Sequence, residues 1–151
     1  MATDLLETVR VFIRANALGN LAYLKKGDGT PSSAFVEFVV LPGDTLRLGF
    51  CTSWGQSGYR KYPHLLANPL VAVAFVNEGE NVTFQGEGKA TEVPAPGGEV
   101  AEAIRAKYPG SSGFLDDPEV KWFIVVLHWG KYANFADNIP ENFDIREFRS
   151  E

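Results

Sequence analysis

The sequence predicts a mainly β protein: a small antiparallel barrel, closed or partly closed, with a few short helices. Three observations carry that expectation. Six runs of strand length either alternate or are solidly apolar, Gly, Asp and Pro turns separate them, and only three segments have helical spacing.

Residues 4–16 read as an amphipathic helix, with Leu5, Val9, Phe12 and Ile13 on one stripe, Asp4 and Glu7 as a capping box and Gly19 beyond the end. Its stripe is expected to cover a sheet face. Residues 20–25 and 34–41 read as strands around Gly27-Asp28-Gly29, and Pro42-Gly43-Asp44 turns the chain into a strand over 46–51. Strands over 70–77 and 82–92 follow, joined by Glu78-Gly79-Glu80. Residues 94–98 break the sheet, and 99–107 read as a helix with acidic residues early and cations late. The run from Trp122 to Leu127, within a strand over 120–128, is too apolar for a one-sided surface strand and fits a central or interface position. The tail, 140–148, alternates weakly and is expected to add an edge strand or an arm.

At 151 residues the chain fits one domain, and at that size roughly 68 to 70% of the unfolded surface can be buried. A composition of 45% apolar and 22% charged residues argues against disorder. The net charge of -5 argues against nucleic acid or an anionic membrane as the main partner, so any basic site must be local. Cys51 is the only cysteine, which excludes an intramolecular disulfide and a thiolate zinc cluster. The first residues lack a basic region followed by an apolar one, and no run reaches the ~18 apolar residues of a membrane span, so a cytoplasmic location is expected.

The most informative stretch is 52–69. A turn bearing Thr52, Ser53, Gly55, Ser57 and Gly58 leads directly into a short helix that opens with Arg60 and Lys61 and closes on Asn68-Pro69. Glycines permit a concave row of backbone amides, and the hydroxyls add donors aimed at one anion. Cations at a helix start are disfavoured by roughly 0.3 to 1 kcal/mol, and a bound phosphate would reverse that sign, with Arg60 as a bidentate fork and Lys61 as a point charge. The alternative is a solvated Arg-Lys pair on an ordinary turn.

Other candidates read as structural. Cys51 sits in an apolar strand without an assignable histidine partner, which favours an inert thiol. His64 fits a capping or solvated histidine better than a catalytic base, and His128 is ambiguous at a strand end. Trp122 and Phe123 fit a core, while Trp54, Tyr59, Tyr62 and Trp129 fit either a seam or the border of a planar ring.

The strand ending Phe50-Cys51-Thr52, then Gly55, Arg60-Lys61 and Leu65-Leu66-Ala67-Asn68-Pro69, together with Val82-Thr83-Phe84-Gln85-Gly86-Glu87-Gly88-Lys89-Ala90, resembles the FMN-binding split-barrel proteins related to pyridoxamine 5'-phosphate oxidase. The resemblance spans roughly residues 5–135 and implies an antiparallel, Greek-key-like split barrel. It further implies a homodimer with FMN near the subunit interface and redox chemistry on a small-molecule substrate. By it, Arg60 and Lys61 hold the phosphate, Thr52, Ser53, Ser57 and Cys51 lie near the cofactor, and Thr83 takes a polar contact position. Ala34, Phe35 and Val36 would neighbour the ring, a role that a plain barrel wall also explains. The sequence departs from the true oxidases in having Ala34 in place of an arginine and no basic C-terminal segment, so vitamin B6 oxidation is not expected. A flavin-binding or redox-sensing stress module, and a deazaflavin- or haem-using relative, are the alternative readings.

Overall fold

The computed structural model describes residues 2–53, 61–136 and 138–150, with the side chains of residues 2, 3, 53, 111, 112 and 114 outside the description. The order is α1 (Ala2–Ala15), β1 (Leu18–Leu24), β2 (Pro31–Glu37), β3 (Val39–Leu41), β4 (Leu46–Ser53) and α2 (Lys61–Ala67), then β5 (Leu70–Asn77), β6 (Val82–Val93), α3 (Gly98–Lys107), α4 (Ser112–Leu115), β7 (Val120–Asn134) and β8 (Asp144–Arg149). All strand pairings are antiparallel, in the spatial order β2-β1-β5-β6-β7-β4-β3, with β8 added to β7. The ladder does not close into a ring. The segment from Pro31 to Leu41 instead spans both edges, β2 pairing with β1 and β3 with β4.

That split corrects the single strand expected over 34–41. Phe38 interrupts it: its N–H donates to Ala17 O at 2.9 Å, while its ring turns inward against Phe50 and Phe75 at centroid distances of 5.7 and 5.3 Å. α1 likewise begins earlier than expected, so Asp4 lies inside the first turn and cannot cap it, and its carbonyl accepts from the Thr8 hydroxyl at 2.9 Å. The stripe Leu5, Val9, Phe12 and Ile13 is buried as the spacing predicts.

Two apolar clusters flank the sheet. The larger fills the barrel, where inward residues of the strands, among them Leu21, Val73, Phe84, Phe123, Val125 and Leu127, meet the α1 stripe. The smaller lies on the outer face, where α3 and α4 place Val100, Ile104 and Leu115 against Val39, Leu41 and Trp122. Gly49 of β4 permits this close approach, since a Cβ there would lie 2.9 Å from Val100 Cγ1. β7 is therefore covered on both faces along its first half, which explains its unbroken apolar run.

α3 and α4 cover only the β3-β4-β7 end of the outer face. Among the described residues no helix covers that face across β2, β1, β5 and β6, and pleat alternation brings Leu18, Phe35, Leu70 and Val76 onto it, all exposed.

Candidate functional site

The ends of β4, β6 and β7 and the start of α2 converge at one corner of the barrel. Thr52, the penultimate residue of β4, is 5% exposed and pairs in register with Lys121 of β7. Phe123, two residues on, pairs with Glu92 of β6, so alternation turns Thr52, Lys121, Glu92 and Phe123 to the same inward side. α2 lays Tyr62 across this group. Its ring meets Phe123 edge-on at 6.1 Å, and its hydroxyl lies 3.1 and 3.0 Å from the two Glu92 carboxylate oxygens. Burial, and then the Glu92 hydrogen bond, raise the Tyr62 pKa. The Lys121 ammonium stands 5.3 Å from the centroid of the same ring, a cation–π contact.

Lys61 opens α2 beside Tyr62. It is half-buried, burial lowers its pKa, and among the described residues no carboxylate pairs with it. A desolvated cation without a counter-charge is a place where an anion would be favourable. Lys61 adjoins Tyr62 in α2, and the Tyr62 ring carries the ammonium of Lys121, the register partner of Thr52. Ser53 ends β4 opposite Val120, with its side chain outside the description. Ser57, Arg60 and the glycine turn, together with Trp54 and Tyr59, lie outside the described residues.

Cys51 faces the other way. With Glu37, Phe38, Val39, Ile104, Tyr108 and Leu115 it lines a cavity of about 260 Å³ under α3 and α4. Burial pushes the Cys51 thiol up to about 11, and burial followed by a hydrogen bond with Glu37 pushes Tyr108 up to about 12. Both are protonated near neutrality, so neither is a ready nucleophile or base.

The remaining candidates spread over the sheet. Val36 points into the core, Phe35 points outward with 74% exposure, and Ala34 is half-buried, so the three do not offer their side chains to one surface. Thr83 pairs with Val76 and Ala133 near the start of β6, nine residues before Glu92, which places it roughly 30 Å from the Thr52 corner along the strand. His64 is structural: its Nδ1 accepts from Lys26 N at 2.8 Å and its ring stacks on Tyr23 at 5.9 Å.

His128 and Trp129 sit at a bulge between Glu87 and Gly88, where β7 carries one extra residue and both side chains turn to the outer face. Lys121, Glu92 and Tyr108 escaped sequence reasoning, because only strand register and helix packing bring them to their partners.

No family model matches the sequence, and no curated protein matches it. Solved structures do match. A Clostridium acetobutylicum protein related to general stress protein 26, of the pyridoxinephosphate oxidase family, superposes with TM-score 0.68 at 14% identity, over 97% of this chain and 94% of that one. A Nostoc punctiforme protein described as pyridoxamine 5'-phosphate oxidase-related and FMN binding gives 0.60 at 14%, over 98% and 95%. A haem-binding protein from Mycobacterium smegmatis gives 0.67 at 17%, over 93% of this chain and 57% of that one. At these identities the likeness establishes the fold, the split barrel of pyridoxamine 5'-phosphate oxidase-related proteins.

Proposed function

We propose that this protein binds FMN at the Thr52–Lys61 corner and works as a homodimeric flavin-dependent oxidoreductase on a small molecule. The observation that carries the reading is Lys61: a half-buried ammonium, its charge disfavoured by desolvation and with no carboxylate partner among the described residues, on the helix whose Tyr62 meets the register partner of the buried Thr52. Those groups suit the ester phosphate of a flavin nucleotide. Arg60 precedes Lys61 directly and supplies the bidentate fork that planar oxyanion recognition favours.

Bound flavin supplies hydride chemistry; the polypeptide needs only to anchor, orient and exclude water. Thr52 and Lys61 anchor, and the covered β4-β7 face excludes water. Thr83 lies too far along β6 to share that anchor within one chain, so its contact with the cofactor comes from a second subunit docked on the bare outer face. Phe35, Leu18 and Val76 supply the apolar part of that seam.

The test is the visible spectrum of the purified protein and a titration with FMN, with binding expected at micromolar levels or tighter. Replacing Arg60 and Lys61 together by alanine is expected to remove the flavin bands while the circular dichroism stays native. A Soret band, or failure of FMN to bind the cofactor-free protein at those levels, overturns the FMN assignment. Flavin that binds but is never reduced by nicotinamides or small reductants leaves a sensor or carrier role, the second reading that stress-protein relatives support.

A further inference from the structure

We propose that Lys121 is a further cation on the cofactor's ester phosphate, reaching it from β7 while Lys61 reaches it from α2. The inference rests on the FMN reading above and names a residue that no part of the glycine turn or helix motif contains.

Register fixes where Lys121 stands. It is the direct cross-strand partner of Thr52, and paired residues in an antiparallel ladder lie about 4.5 to 5.5 Å apart at Cα. Its ammonium is held 5.3 Å above the ring of Tyr62, the residue that follows Lys61, which brings the charge to the start of α2. A lysine at a barrel end ordinarily extends its head into water. This one is half-buried, between the buried Val120 and Trp122, and is turned onto an aromatic platform.

The platform is itself fixed. Tyr62 packs on the fully buried Phe123, and its hydroxyl is tied to both oxygens of Glu92. Glu92 is thereby engaged by a phenol, and among the described residues no carboxylate pairs with Lys121. Lys121 therefore sits on the ring of the residue next to Lys61, and among the described residues neither lysine has a carboxylate partner, a local positive excess in a chain of net charge -5. A phosphate monoester is close to dianionic at neutral pH and balances that excess.

The assignment makes Lys121 a selector for the phosphate and not for the ring, so the test compares FMN with riboflavin on the full chain. Affinities of both are measured by flavin fluorescence for the native protein, Lys121→Gln and Lys121→Arg, with thermal unfolding as the fold control. The Gln variant is expected to lose about tenfold in FMN affinity, as for one charge-assisted contact, with riboflavin affinity within about twofold of native and Arg retaining most of the preference.

Equal losses for both ligands would mean that Lys121 acts only by packing on Tyr62, and that overturns the proposal; so does an unchanged FMN affinity. Should the Gln variant fail to fold, Lys121→Met keeps the methylene stem on the ring while removing the charge, and is read the same way. Native protein that binds neither flavin sinks the FMN reading itself. Native protein that binds FMN, with variants that bind it equally tightly, sinks only the role of Lys121.

Discussion

Burial lowers the pKa of Lys61, so folding disfavours the charge that the proposed function needs. The unfolded chain holds more protons than the native one between the two pKa values, so this group makes stability rise with pH through that alkaline window and costs stability below it. Lys61→Met in cofactor-free protein is therefore expected to hold or raise the unfolding midpoint at pH 7, with the gap from native closing as the pH is raised. The same change is expected to cut FMN affinity about tenfold or more, the signature of a site residue kept at a cost in stability. A clear drop in midpoint would show that Lys61 is a structural cation.

Elements meet here through a few contacts whose removal has a calculable sign. Arg47 of β4 and Glu99 of α3 form a two-point ion pair at 2.6 and 3.2 Å, and Arg47 also donates to Pro42 O at 2.7 Å. The hydrogen bond from Arg47 holds the Glu99 carboxyl below its usual range. That contribution is present above the unfolded carboxylate pKa and is lost as pH falls through the folded one. With Glu99 44% exposed, Glu99→Gln is expected to cost only about 0.5 to 1 kcal/mol at pH 7 in chemical denaturation, and the difference should vanish under acid.

Gly88 is a sharper case. A Cβ there would collide with the Val126 carbonyl oxygen, so only glycine lets β6 approach β7 beside the bulge. Gly88→Ala should cost about 1 to 3 kcal/mol, and the near-ultraviolet signal of Trp129 should change with it. A neutral outcome would mean that the bulge relaxes freely.

The whole chain presents an imbalance. One end of the outer sheet face is roofed by α3 and α4, while the rest exposes Phe35, Leu18, Val76 and Leu70. Exposed apolar side chains gathered on one sheet face suit the second copy proposed above. On the proposed homodimer, Phe35→Glu is expected to shift sedimentation from dimer to monomer and to weaken FMN together with assembly. A variant that stays dimeric, or a monomer with native FMN affinity, would separate the two and count against an interfacial cofactor.

Strand periods, turn residues and the α1 stripe were enough to read the mainly β class and nearly every element, because alternation and helical spacing record which side of each segment is buried. The proposed Thr52 and Lys61 anchor was read for a related reason: a loop-to-helix anion site would be built from residues close in sequence. Three-dimensional packing settled the rest. The break at Phe38 depends on which edge each half of the segment pairs with, and the run of β7 beyond His128 depends on its pairing with β6 and β8. Lys121 and Glu92 reach the corner through register alone, a property of strand pairs that no single stretch of chain encodes.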